Sequence, residues 1–168
     1  ATSHLIDTGS RRIAFIGGPN HLDMVRRRKH GYLEALRENH LSIDRTLVVC
    51  DKIDFDVARR ATIVLLQRED RPDAILAFND IITYAAFDAI KEMNLRIPED
   101  VAIIGFTDGD NAAFVTPSLS AIMDQAHIQG NKACGLLMRS INGDRCIYKE
   151  VVPMILKIRE SSEKNQNK

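Results

Sequence analysis

The chain has 168 residues, 45% hydrophobic and 27% charged, the composition of a soluble globular domain rather than a disordered or fibrous one. Lys+Arg and Asp+Glu both number 23, so the net charge is zero, without the basic excess of a dedicated nucleic-acid binder. No apolar run approaches the roughly 18 residues of a membrane span; nothing at the N-terminus reads as a signal peptide, and a start at Ala1 rather than Met leaves an upstream segment open.

The elements alternate along the chain. Residues 13–16 form the first strand, closed by Gly17, Gly18 and Pro19. Residues 24–38 read as a helix with Val25, Leu33 and Leu36 on one side, and 47–49 as a second strand. Asp54 can cap a helix through Gln67, with Ala58, Ala61 and Leu65 on one face. After a strand at 74–78, Asp80 can cap a helix in which Ile82, Ala86, Ile90 and Met93 recur at helical spacing. A turn at residues 97–100 leads into an apolar strand at 101–106, and a fifth strand follows at 119–123. A helix at 127–141, with Ala133, Leu137 and Ile141 on its apolar side, precedes a last strand at 151–158. The tail, 161–168, is polar and is expected to fray. Strands alternating with helices predict an α/β fold, doubly wound around a mainly parallel sheet.

Open sheets of this kind bind ligands at the carboxyl ends of their strands. The residues there are Gly17-Gly18-Pro19-Asn20, Asp51-Lys52-Ile53-Asp54, Asn79-Asp80, Thr107-Asp108-Gly109-Asp110-Asn111 and Asp124-Gln125. Caps and turns favour the same residue types, so each single Asp has a structural reading beside the functional one. Together the groups suit a neutral polyhydroxylated ligand. Carboxylates accept from hydroxyls, amides do both and an arginine donates in a fixed fork, while Ile53 or Phe55 can cover the ligand's C–H face.

Other motifs carry less. Gly17-Gly18 lacks both G-x-G-x-x-G and a Walker Lys-Ser pair, so nucleotide binding has little support. Arg26-Arg27-Arg28-Lys29-His30 spreads its charges around the whole helix, which favours a solvated helix with one arginine turned inward over a DNA patch. Asp108-Gly109-Asp110-Asn111 has no distal Glu at calcium-loop spacing. Cys50, Cys134 and Cys146 are odd in number, far apart and outside any metal spacing, as reduced thiols of a cytoplasmic protein would be. No nucleophile motif or acid–base pair is recognisable, so neither catalytic residues nor a metal nor a cofactor are expected.

Five blocks, in order, resemble the lactose/galactose repressor family of bacteria. They are HLIDTGSRRIAFIGGP at 4–19, RKHGY at 28–32, RPDAILAFND at 71–80, LRIPEDVAIIGF at 95–106 and VPMILKIRES at 152–161. The resemblance implies a helix-turn-helix head, a hinge helix and a two-lobed sensor like periplasmic sugar-binding proteins, with the effector between the lobes. On this basis residues 1–160 are expected to be a partial effector-binding domain, truncated and beginning late in the first lobe. Most of it would be second lobe, with a crossing segment at about 125–147 belonging to the first; the head is expected to be absent. Carried over by position, the effector contacts would be Arg28, Ile53, Asn79 and Gln125. The aspartate that sugar-binding members place after the Gly-Phe pair is replaced by Thr107, with Asp108 next, so Asp108 substitutes or the effector is not a simple sugar.

The resemblance also implies a homodimer. The helix at 81–93 carries more apolar residues than one sheet covers, which predicts an exposed patch of Ile81, Tyr84 and Phe87, with Asp88 beside it; the resemblance implies that the loop holding Phe114 and Val115 completes the contact. The reading is a non-enzymatic sugar sensor of a cytoplasmic repressor that reaches operator DNA only through the head and has no membrane contact. Its alternatives are a periplasmic sugar-binding protein for transport and an α/β enzyme such as a sugar isomerase.

Overall fold

Apolar runs with no polar interruption belong in the middle of a sheet, and that is where they lie. In the computed structural model, which describes residues 1–107, 110–144 and 149–164, the strands are β1 (Ile13–Gly17), β2 (Val48–Cys50), β3 (Ala74–Ala77), β4 (Ala102–Phe106), β5 (Ser120–Met123) and β6 (Ile155–Lys157). The sheet order is β2-β1-β3-β4-β5-β6, parallel throughout except for β6, which runs antiparallel to β5. The helices are α1 (Thr2–Asp7), α2 (Asp23–Glu38), α3 (Phe55–Leu66), α4 (Asp80–Glu92) and α5 (Ala126–Ile141).

Successive strand residues face opposite sides, and two cores result. Ala14, Ile16, Ile75, Ala77 and Ile103 pack with Ala58, Leu65, Ile82, Ala86 and Ile90 of α3 and α4. Ile13, Phe15, Leu76 and Ile104 pack with Leu5, Ile6, Tyr32 and Leu36 of α1 and α2. Each fully buried aliphatic side chain stabilises this arrangement by roughly 1.5–3 kcal/mol. Tyr32 stacks on Phe15 at 5.6 Å between centroids and donates its hydroxyl to the Ile13 carbonyl (2.8 Å); burial pushes its pKa up to about 12.

Several local expectations change. The cap of α4 is Asn79 rather than Asp80: Asn79 is extended and its Oδ1 accepts from the Ile82 N–H (3.1 Å), leaving Asp80 in the first turn, where its charge meets the helix dipole. Asp54 caps α3 as expected, accepting from the Val57 N–H (2.9 Å). The last strand spans three residues rather than eight. The short helix α1 was not anticipated, and it packs on the same body as the sheet through Leu5 and Ile6.

The tail does not fray at Ser161. Ser161 and Ser162 are both fully buried in a 3-10 turn, Glu160–Ser162. Ser161 Oγ donates to the Ile103 carbonyl (2.7 Å) and accepts from the Ser120 N–H (2.8 Å); Ser162 Oγ shares a hydrogen bond with Ser120 Oγ (2.7 Å). Lys164 Nζ reaches the Asp73 carbonyl (2.9 Å). α5 stands apart: none of its residues is buried, and Ile128, Leu137, Met138 and Ile141 face solvent.

Candidate functional site

Sheet order changes direction at β1, with β2 on one side and β3 on the other. Loops leaving β1 and β3 therefore part, and a crevice opens beyond the strand ends. There lies a cavity of about 320 Å³ lined by Leu22, Met24, Arg28, Ile53, Phe78, Asn79, Asp80, Phe106, Thr107, Ile122, Asp124 and Met154.

Arg28 sits at its centre. Its neighbours on α2 turn to solvent: Arg26 and Arg27 both pair with Asp23 (3.1 and 2.5 Å), and His30 lies 3.1 Å from Glu34. Arg28 turns inward, donates Nη1 to the Phe78 carbonyl and lies over two rings, its guanidinium carbon 3.8 Å from the Phe106 centroid and 4.9 Å from that of Phe78. Burial pulls its pKa below the ordinary arginine value, and the Asp124 charge opposes that shift. A guanidinium stacked in this way is fixed in direction before any ligand arrives, so binding loses little side-chain entropy.

Thr107 follows Phe106 and is buried, its Oγ1 closed off from water and without a hydrogen-bond partner among the described residues. Gly105 lets the neighbouring helix approach. A Cβ at Gly105 would come within 2.2 Å of both Cγ2 and Oγ1 of Thr83, a buried α4 residue whose hydroxyl donates to the Asn79 carbonyl (2.6 Å). The missing side chain thus seats α4 on β4 and brings Asn79 to the cavity. Its Oδ1 is spent on the helix cap, which leaves the amide NH2 to donate.

Of the expected contacts, Arg28, Ile53, Asn79 and Thr107 line one cavity. Gln125 is not among the lining residues; its amide donates to the Pro153 carbonyl (2.7 Å). Phe55, offered as an apolar cover, is exposed at the start of α3, outside the lining. Asp108 lies outside the described residues. Sequence reasoning missed Phe78 and Phe106, which it took for buried strand; being last in apolar strands that end at the crevice is the signal that marks them.

The expected dimer patch is altered. Phe87 is buried in the core, 6% exposed, and Tyr84 is half-buried with its hydroxyl closed off and unpartnered among the described residues. Asp88 binds Arg59 of α3 (2.9 Å). Phe114 is 82% exposed, Ile81 44%, and Val115 is partly buried against the core. α3 thus reaches α4 through the Arg59–Asp88 pair, while Ile81 stays exposed.

The family model for a periplasmic binding protein-like domain matches residues 2–162. The HTH-type transcriptional regulator CelR of Thermobifida fusca is 34% identical over 144 residues, 86% of this chain and 42% of that protein. The ribose operon repressor of Haemophilus influenzae is 32% identical over 152 residues, 90% of this chain and 46% of that protein. A solved CelR–cellobiose complex superposes with a TM-score of 0.88 at 33% identity, covering 96% of this chain and 50% of that one. A regulatory protein of the LacI family from Chloroflexus aggregans gives 0.89 at 33% identity, covering 95% and 58%. The chain spans less than half the length of the curated relatives quoted.

Proposed function

Because the chain belongs to the periplasmic binding protein-like domain family, in the form carried by LacI-family transcriptional regulators, we propose that it is the effector-sensing part of a cytoplasmic DNA-binding repressor. The effector is a sugar or sugar derivative bound at the cavity around Arg28. Operator DNA is met by a DNA-binding segment outside these 168 residues, and the sensor shifts its affinity through coupling between the two sites. The sensor itself does no chemistry on its ligand.

The observation that carries this reading is the cavity at the strand ends, where Arg28 held over Phe106, the Asn79 amide and the carboxylates of Asp80 and Asp124 meet the apolar side chains of Ile53, Ile122 and Met154. Such a mix of donors and C–H-covering surface fits a sugar ring. α5 supports the second half of the reading. A helix with four large apolar side chains in solvent and none of its residues buried fits a segment crossing into a first lobe. The relatives matched are transcription regulators, which does not favour a transport protein. The molecule is proposed to act as a homodimer through Ile81, Phe114 and Val115.

Calorimetry on the full-length protein with a panel of neutral mono- and disaccharides, cellobiose among them, tests the site. Arg28→Ala is expected to weaken the sugar that binds by roughly 1.5–3 kcal/mol, the worth of a charged hydrogen bond, with helix content unchanged by circular dichroism. Unchanged affinity rules Arg28 out as a contact.

A further inference from the structure

A second cavity, of about 690 Å³, lies on the other flank of α2, under the edge strand β2. Three cations line it: Lys29, Arg37 and Arg45. No carboxylate does. Elsewhere among the described residues arginines pair with carboxylates, Arg12 with Asp44 and Asp70, Arg26 and Arg27 with Asp23, Arg59 with Asp88 and Glu92, Arg68 with Asp70 and Arg96 with Asp100, while Arg11, Arg60, Arg71 and Arg159 stand singly without lining a shared cationic cavity. Arg37 and Arg45 make no ion pair and no side-chain hydrogen bond among the described residues, and Lys29 has only the neutral side-chain carbonyl of Asn20. Three positive charges facing one concavity repel one another, and an anion placed between them removes that repulsion while gaining charge-assisted hydrogen bonds.

The floor gives the rest of the ligand. Leu33, Ile43 and Val48 are half-buried there, so the cavity has a cationic rim over an apolar base. Its volume is within the range of small-molecule sites, well beyond what one inorganic anion fills. Arg37 and Arg45 offer the planar forks that match phosphate oxygens. We propose that this cavity is a second ligand site, distinct from the effector cavity, and that it binds a phosphate monoester whose organic part rests on Leu33, Ile43 and Val48. Lys29 and Arg28 are adjacent in α2 yet face different cavities, so this site stands independently of the effector reading.

Titration calorimetry of the chain with phenyl phosphate and, separately, inorganic phosphate tests the inference. Phenyl phosphate is expected to bind with a dissociation constant below about 1 mM, more tightly than inorganic phosphate, and more weakly as salt is raised. The double variant Arg37→Gln, Arg45→Gln is expected to lose about tenfold or more in affinity. A control double variant with the same loss of charge, Arg60→Gln, Lys157→Gln, is expected to bind as wild type does; thermal melts check that both fold. A weaker wild-type constant than about 1 mM, equal affinity for the two probes, or an equal loss in the two double variants overturns the proposal.

Discussion

The hydroxyl of Thr107 is shut away from water with no partner among the described residues. A buried donor left unmade costs about 1–3 kcal/mol. Valine has nearly the same shape and no hydroxyl. Thr107→Val is therefore expected to raise the stability of the ligand-free chain by about 1 kcal/mol, read from urea melts. A loss of stability instead would show that the hydroxyl is satisfied in the folded chain. The same position shows where resemblance by alignment stops: an aspartate presents two acceptor oxygens, and the single Thr107 hydroxyl, closed off from water, does not replace them.

At the scale of elements, β4 and α4 fit because Gly105 has no side chain. Adding one methyl is expected to drive it into Thr83, which cannot turn away without breaking its bond to the Asn79 carbonyl. Gly105→Ala should destabilise by about 1–3 kcal/mol, as overpacked cores do. Combined with Thr83→Ala, which removes both γ atoms, the loss should be smaller than the sum of the two single losses; additivity would show that the contact is not what fixes Gly105. The strands were legible because Ile13–Ile16, Ala74–Phe78 and Val101–Phe106 are apolar without interruption, and only a sheet covered on both sides takes such runs. What escaped is what depends on distant partners. Ser161 and Ser162 look like a polar tail, and their burial comes from Ser120 and Ile103, about forty to sixty positions away. α1 is six residues long, too short to show a period. The strand predicted at 151–158 contains Pro153, which has no N–H for a ladder, and pairing begins only after it, at Ile155. At the site, polarity of the strand ends pointed to the right edge of the sheet, but not to Phe78 and Phe106, whose role is to hold the arginine.

For the whole molecule, the distribution of apolar surface decides how it assembles. Among the exposed large apolar side chains, two sets bear on assembly: Ile81 and Phe114, from the expected dimer patch, and Ile128, Leu137, Met138 and Ile141 on α5; Met24, Phe55, Val64, Val151, Met154, Ile155 and Ile158 are exposed as well. The first set is small because α3 covers much of α4 and Phe87 is drawn into the core. It is anchored: the Lys91 ammonium ties the loop to α4 through the Thr116 carbonyl (3.4 Å), and Ala112 is fully buried two residues before Phe114. An aromatic ring 82% exposed on an anchored loop suits a two-fold contact in which each copy presents the same patch. The second set lies on a helix that the rest of the chain leaves uncovered, and it can also drive association. Two double variants separate them. Ile81→Asp, Phe114→Asp places like charges face to face across a two-fold contact, and sedimentation velocity is expected to show monomer where the wild-type chain shows dimer. Leu137→Asp, Ile141→Asp is expected to leave the dimer in place. If the first pair leaves the sedimentation coefficient unchanged, or the second alone yields monomer, the contact at Phe114 is wrong.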